Sequence, residues 1–171
     1  MNNPTMAAPL VSVPSNALLA LRKALLARAD LDTVITLRDA AYSGGDEIYN
    51  AFRAFVNSTD SMDPQDLPVE TFFERAGDFW SRSGWGTTKF SEFDTAFCAV
   101  EIGGCWEADP DDQPDPRGCH LTVGLIGAFL GRFADYPVAV LEVEGPATDS
   151  EQCRFLAGSM EMISAYYAEH S

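Results

Sequence analysis

The chain has 171 residues, 46% of them hydrophobic and 11% aromatic, with 26 acidic against 11 basic side chains and a formal net charge of -15. This is the composition of one globular domain, which at such a length buries roughly two thirds of its unfolded surface. The negative balance repels phosphate backbones and anionic headgroups and so argues against direct nucleic-acid binding; with no apolar run of roughly 18 residues, no membrane span is expected either.

Residues 1–14 carry Pro4, Pro9 and Pro14 without periodicity and read as a flexible arm, leaving 15–171 as a single domain. The same segment has neither the basic start nor the continuous apolar stretch of a signal peptide, so a cytoplasmic location is expected. There Cys98, Cys105, Cys119 and Cys153 are expected as thiols or metal ligands, not disulfides. "SNALLALRKALLARA" predicts an amphipathic helix capped by Ser15, with Leu18, Leu21, Leu25 and Leu26 on its apolar face and Arg22, Lys23 and Arg28 elsewhere.

A second helical stretch, "DTVITLRDAAYSGGDEIYNAFRAFVN", is bent or interrupted at Gly44-Gly45, since glycine is a poor helix former. "PVETFFERAGDFWSRSG" follows as a helix, with Pro68 in its first turn, Gly84 as its stop, and Phe72, Phe73, Ala76, Phe79 and Trp80 as its apolar face. The period then shortens. "WGTTKFSEF" and "TAFCAVEIGGCWEA" predict strands around a turn near Asp94, and "EADPDDQPDPRG" is too rich in proline and aspartate for either regular element. "CHLTVGLIGAFLGRFA" is apolar almost all round and predicts a central buried helix, followed by strands in "PVAVLEVE" and "CRFLAGS" and a short helix in "MEMISAYYAEH". Helices, two strands, a buried helix, two strands and a helix make an α+β order: an antiparallel sheet packed with several helices.

Only His120 and His170 are available for histidine chemistry, and no glycine-rich phosphate loop, HExxH or CxxC motif is present. Gly124, Gly127 and Gly131 fall at helical spacing, where their amides are used within the helix; they suit close approach of another element or of a flat ligand. Phe93, Phe97, Trp106, Phe129, Phe133, Tyr136 and Phe155, together with His120, Gly124 and Gly127, form the expected ligand pocket, although the same rings can simply fill a core. Strand alternation puts Val138, Val140, Glu142 and Glu144 on one face, and a carboxylate following two valines there needs a partner. Cys119, Glu142 and Cys153 are the candidate metal donors, a sulfur and oxygen set that suits zinc but is one short of four.

The runs "AAYSGGDEIYNAF", "FFERAGDFWSRSGWG", "CHLTVGLIGAFLGRF", "YPVAVLEVE" and "SEQCRFLAGS", in this order over about residues 35 to 168, resemble the 4-vinyl reductase domain, a hydrocarbon- or small-molecule-binding domain. The domain is also the sensory part of aromatic-responsive bacterial activators and occurs in a protein of the bacteriochlorophyll pathway. The resemblance implies a fold like the small subunits of the trafficking complex TRAPP, a homodimer and an internal apolar pocket. In zinc-containing members the ligands are a Cys at the start of the buried helix, a Glu on the next strand, a Cys just beyond it and a last Cys after the loop. Cys119, Glu142 and Cys153 match the first, second and last, whereas the third falls on Gly145. The expectation is therefore that fold and pocket persist while tight zinc binding does not, unless water, Cys105 or Glu144 completes the shell.

Three functions follow from this reading. The favoured one is a stand-alone module that holds a hydrophobic ligand, a tetrapyrrole intermediate or an aromatic compound, as a carrier or assembly factor in chlorophyll or photosystem biogenesis. The alternatives are an adaptor that binds a protein partner, as TRAPP small subunits do, and a vinyl reductase. The reductase ranks lowest, because no nicotinamide or flavin fingerprint is present.

Overall fold

A computed structural model describes residues 12–28, 31–92, 97–108, 118–145 and 152–170. Six α-helices and four strands follow one another as α1 (Ser15–Leu26), α2 (Leu31–Ser43), α3 (Gly45–Asp60), α4 (Val69–Arg82), β1 (Thr87–Glu92), β2 (Cys98–Gly103), α5 (His120–Ala134), β3 (Ala139–Glu144), β4 (Gln152–Gly158) and α6 (Met160–His170). The strands form one antiparallel sheet in the order β1-β2-β4-β3. The architecture is α+β. The N-terminal arm lies outside the described residues up to position 11, as do Asp94 and the acidic 109–117 segment.

One face of the sheet carries the main core. Phe52 of α3, Phe72 and Trp80 of α4, Ile126 and Phe129 of α5, and Val100, Ile102 and Phe155 of the sheet are all shut off from solvent. Phe129 is the hub, with ring centroids of Phe52, Trp80 and Phe90 at 5.1, 5.6 and 5.9 Å. On the opposite face Ala99, Leu156 and Ile163 make a smaller cluster with Phe97, Leu141 and Tyr166, which gives α6 its seat. The alternation on β3 follows, since Val138 and Val140 pack on the main core and Ala139, Leu141 and Val143 on the smaller one.

The glycines of α5 serve helix packing. A Cβ on Gly124 would lie 2.2 Å from the carbonyl oxygen of Arg38, and one on Gly127 3.2 Å from that of Val138. Across the same seam Gly45 meets Ala128, so α2, α3 and the start of β3 sit directly on the α5 backbone. The Gly44-Gly45 pair does interrupt the second helical stretch, with α2 ending at Ser43 and α3 starting at Gly45.

Helix α1 departs from its predicted orientation in two respects. Ser15 makes no cap, because Pro14 holds the cap position and no side chain bonds the first turn. The leucine face is also rotated: Leu21 is 57% exposed, whereas Arg22, expected to point away, is 1% exposed beside Leu26 at 0%. The cause is the buried carboxylate of Glu107, 3.1 Å from Arg22 Nε, which draws the guanidinium inward.

Candidate functional site

Three cysteines converge where β2, β4 and the start of α5 meet. Cys153 on β4 stands opposite Ile102 of β2 in the sheet register. Just past the end of β2, Gly104 adopts a φ of +66°, which turns the chain and brings Cys105 back over the sheet. Cys119 is the residue immediately before α5. The Sγ atoms of Cys105, Cys119 and Cys153 all lie within 4.8 Å of one another, and Cys119 and Cys153 are 3.3 Å apart, with all three side chains buried. That separation is well beyond the roughly 2.05 Å of a disulfide, and the cysteines are free.

Glu142 belongs to the same neighbourhood. Its Oε2 accepts a 2.8 Å hydrogen bond from the Cys119 amide, while its Oε1 is buried and has no hydrogen-bond partner among the described residues. The register of β3 on β4 shifts between Glu142, opposite Phe155, and Glu144, opposite Arg154. An irregularity of this kind re-aims side chains. The outcome is that Glu144 reaches Arg154 at 3.5 Å while Glu142 turns to Cys119. Burial pushes the Glu142 carboxyl up, opposed by its bonds to Cys119. Within the trio, Cys105 is pulled below the ordinary thiol range because Cys119 and Cys153 point their thiols at it, and both of those are pushed up in return. Cys98, at the far end of β2, stays apart from the cluster, and burial raises its thiol to about 12.

Glu107 anchors this region. It lies in a 3-10 turn, Trp106–Ala108, and is fully buried. Its carboxylate accepts from the amides of Leu121 and Thr122 at 3.0 and 2.9 Å and from the Thr122 hydroxyl at 2.8 Å, so it caps α5 from a distant part of the chain. The Arg22 Nε lies 3.1 Å from the same carboxylate, and its terminal nitrogen donates to the carbonyl of Gly118 at 2.6 Å. Burial raises the Glu107 carboxyl to about 6 despite these donors. Sequence reasoning missed both residues. Arg22 continues the Leu18–Leu25–Leu26 stripe at helical spacing, and that was the available signal.

The expected pocket residues divide among several places. Phe97, Phe133 and Tyr136 line a cleft of about 240 Å³ between α4, α5 and the ends of β2 and β4, together with Phe72, Phe73, Leu130 and Val138. Trp106 lines a different recess of about 640 Å³ below α1, with Trp85, Phe79, Ile48 and Leu18. Phe129 and Phe155 are fully buried in the main core, and Gly124 and Gly127 face neighbouring backbone. His120 is 4% exposed at the first position of α5, near Gly118 and on the thiol side of the fold. Phe93 lies outside the described residues. A groove of about 390 Å³ between α4 and β1 is rimmed by Glu70, Glu74, Asp78 and Glu92, an anionic border that suits an apolar ligand poorly.

No family model and no curated protein sequence matches the chain. Solved structures do share its fold. The phenol-responsive sensory domain of the transcription activator PoxR, with phenol, superposes with a TM-score of 0.71 at 13% identity, over 94% of this chain and 81% of that one. A trafficking protein particle complex subunit 3 from Naegleria fowleri, covalently bound to palmitic acid, gives 0.60 at 10% identity, covering 84% and 93%. A vinyl-4-reductase family protein from Methanocaldococcus jannaschii gives 0.52 at 12%, covering 88% and 82%. At these identities the likeness establishes the fold: this chain has the fold of the TRAPP subunit and of the vinyl-4-reductase protein. None of its described helices is long and apolar enough to cross a membrane.

Proposed function

We propose that this chain is a binding module of the 4-vinyl reductase domain kind that holds a small hydrophobic molecule in the cleft between α4, α5 and the sheet. The observation that carries this reading is the cleft itself. Phe72 and Phe133, which stack at 3.6 Å between ring centroids, line it together with Phe73, Leu130 and Val138, and Tyr136 and Glu92 are polar side chains among its lining. Apolar walls with a few polar groups are the ordinary make-up of a small-molecule site. An apolar cavity of roughly 150 Å³ already accepts benzene, so about 240 Å³ suits a one- or two-ring aromatic compound better than a whole tetrapyrrole. The shared fold supports the reading, since two of the similar structures hold an aromatic and an acyl ligand, phenol and palmitic acid. Association as a homodimer belongs to the same proposal, and sedimentation tests it directly.

Calorimetric titration of the full chain with phenol, substituted phenols, naphthol and palmitate is the test. Saturable one-to-one binding that weakens at least tenfold in Phe133→Ala and stays unchanged in Trp106→Ala supports the cleft. Absence of saturable binding across the panel, or weakening by Trp106→Ala alone, overturns it.

A further inference from the structure

We propose that the cleft between α4, α5 and the sheet selects arylalkyl ammonium ions over neutral and anionic aromatic compounds, with Glu92 as the residue that sets the preference. The inference rests on the reading of this cleft as a small-molecule site and names the class of ligand it takes.

Strand register places Glu92. On β1 the side chains of Thr88 and Phe90 are buried, Phe90 in the main core, and Glu92 follows on the same face. Across the ladder Glu92 stands opposite Cys98 of β2, which also packs against the main core. Glu92 is therefore aimed at the side of the sheet that α4 and α5 cover, and both it and Cys98 line the cleft. Because Glu92 is exposed as well, its carboxylate stands where the cleft meets water. The neighbouring thiol stays neutral: burial raises Cys98 to about 12, and the Glu92 charge pushes the same way.

The remaining electrostatics act in one direction. Among the described lining residues Glu92 is the one charged side chain, so no lysine, arginine or histidine there meets a carboxylate ligand. Phe133 and Ala134, also in the lining, close the last turn of α5, and the C-terminal end of a helix carries partial negative charge that favours cations. The Gln65 amide takes up the Phe133 carbonyl at 3.0 Å, and Arg132, the basic residue of that turn, is paired with Asp46. A chain of net charge -15 adds a field of the same sign.

The ligand must then have two ends. An aromatic ring suits the apolar lining, whereas a buried cation costs free energy unless it is paired. An ammonium beside Glu92 is paired and keeps part of its water, and a carboxylate in the same place is repelled. Exposed ion pairs and helix termini each act modestly, so the preference is expected to be several-fold and not absolute.

The test is calorimetric titration of the full chain at neutral pH with 2-phenylethylamine, 2-phenylethanol and 3-phenylpropionate, which share a ring and a short chain but are cationic, neutral and anionic. The amine should bind about fivefold or more tighter than the alcohol, and the carboxylate weaker than both. Glu92→Gln should cut the preference for the amine at least threefold, and Glu92→Lys should place the carboxylate above the amine. Asp78→Asn, which removes an exposed carboxylate of the neighbouring groove, should keep the preference. Equal affinities for the three compounds, tightest binding of the carboxylate, or an amine preference that survives Glu92→Gln overturns the proposal. So does a preference lost equally in Asp78→Asn, which would assign it to net charge alone. In each of these outcomes binding that still weakens in Phe133→Ala leaves the cleft itself standing as a ligand site; no saturable binding of any of the three removes both.

Discussion

Arg22 and Glu107 form an ion pair of 3.1 Å in which neither side chain reaches solvent, joining α1 to the turn that leads from Cys105 towards α5. A pair of this kind is weak evidence of net stability, but removing one partner strands the other charge in the interior. Arg22→Met is therefore expected to lower unfolding free energy by about 3–5 kcal/mol. Urea denaturation measures this, and a loss below about 1 kcal/mol would mean that α1 is not held by the pair.

The seam between α2 and α5 depends on glycine. Gly124→Ala places a methyl group against the Arg38 carbonyl, which belongs to backbone and cannot rotate away. Overpacking of this sort costs about 1–3 kcal/mol, and thermal unfolding should report the loss. An unchanged midpoint would show that the helices separate without penalty.

Phe129 and Phe133 lie one turn apart on α5 but should respond differently. Phe129 is fully buried amid other rings, so Phe129→Ala is expected to cost about 3–5 kcal/mol. Phe133 is partly exposed on the cleft wall, so its removal should cost less stability and more binding. Measuring both properties on both variants checks the distinction. Equal stability losses with unaffected binding would assign Phe133 to the core.

Arg75 grips Asp60 through two bonds of 2.7 Å each, and these hold the Asp60 carboxyl below the ordinary carboxylate range. A lowered carboxyl pKa in the folded chain means that the unfolded chain binds the proton more readily. The contribution is fully present above the ordinary aspartate pKa and is lost as pH falls through the lowered value. Asp60→Asn should thus be less stable than the unmodified protein at neutral pH, with the two converging under acid. A gap independent of pH would contradict the charge-based origin.

Much of the fold was legible because its signals are local. The α5 stretch was apolar all round and proved buried, and the alternation on β3 divided correctly between the two sheet faces. Non-local determinants stayed hidden. Nothing near Arg22 reveals Glu107, which lies 85 residues away in sequence. The same limit applied to the candidate site. Cys119, Glu142 and Cys153 were named from their spacing, yet Cys105 joins them only because Gly104 turns the chain after β2, which spacing cannot show. The aromatic residues were too many to sort by sequence: Phe129 and Phe155 fill the core while Phe97, Phe133 and Tyr136 meet at a cleft.

The most direct test of the central claim, that the cleft between α4, α5 and the sheet takes a small apolar ligand, is a backbone NMR titration of the full chain with phenol and, separately, palmitate. The account predicts saturable shifts for at least one of them, concentrated at Phe73, Phe97, Leu130, Phe133 and Val138. Shifts confined to Leu18, Trp85 and Trp106, or no saturable shifts with either compound, would contradict it.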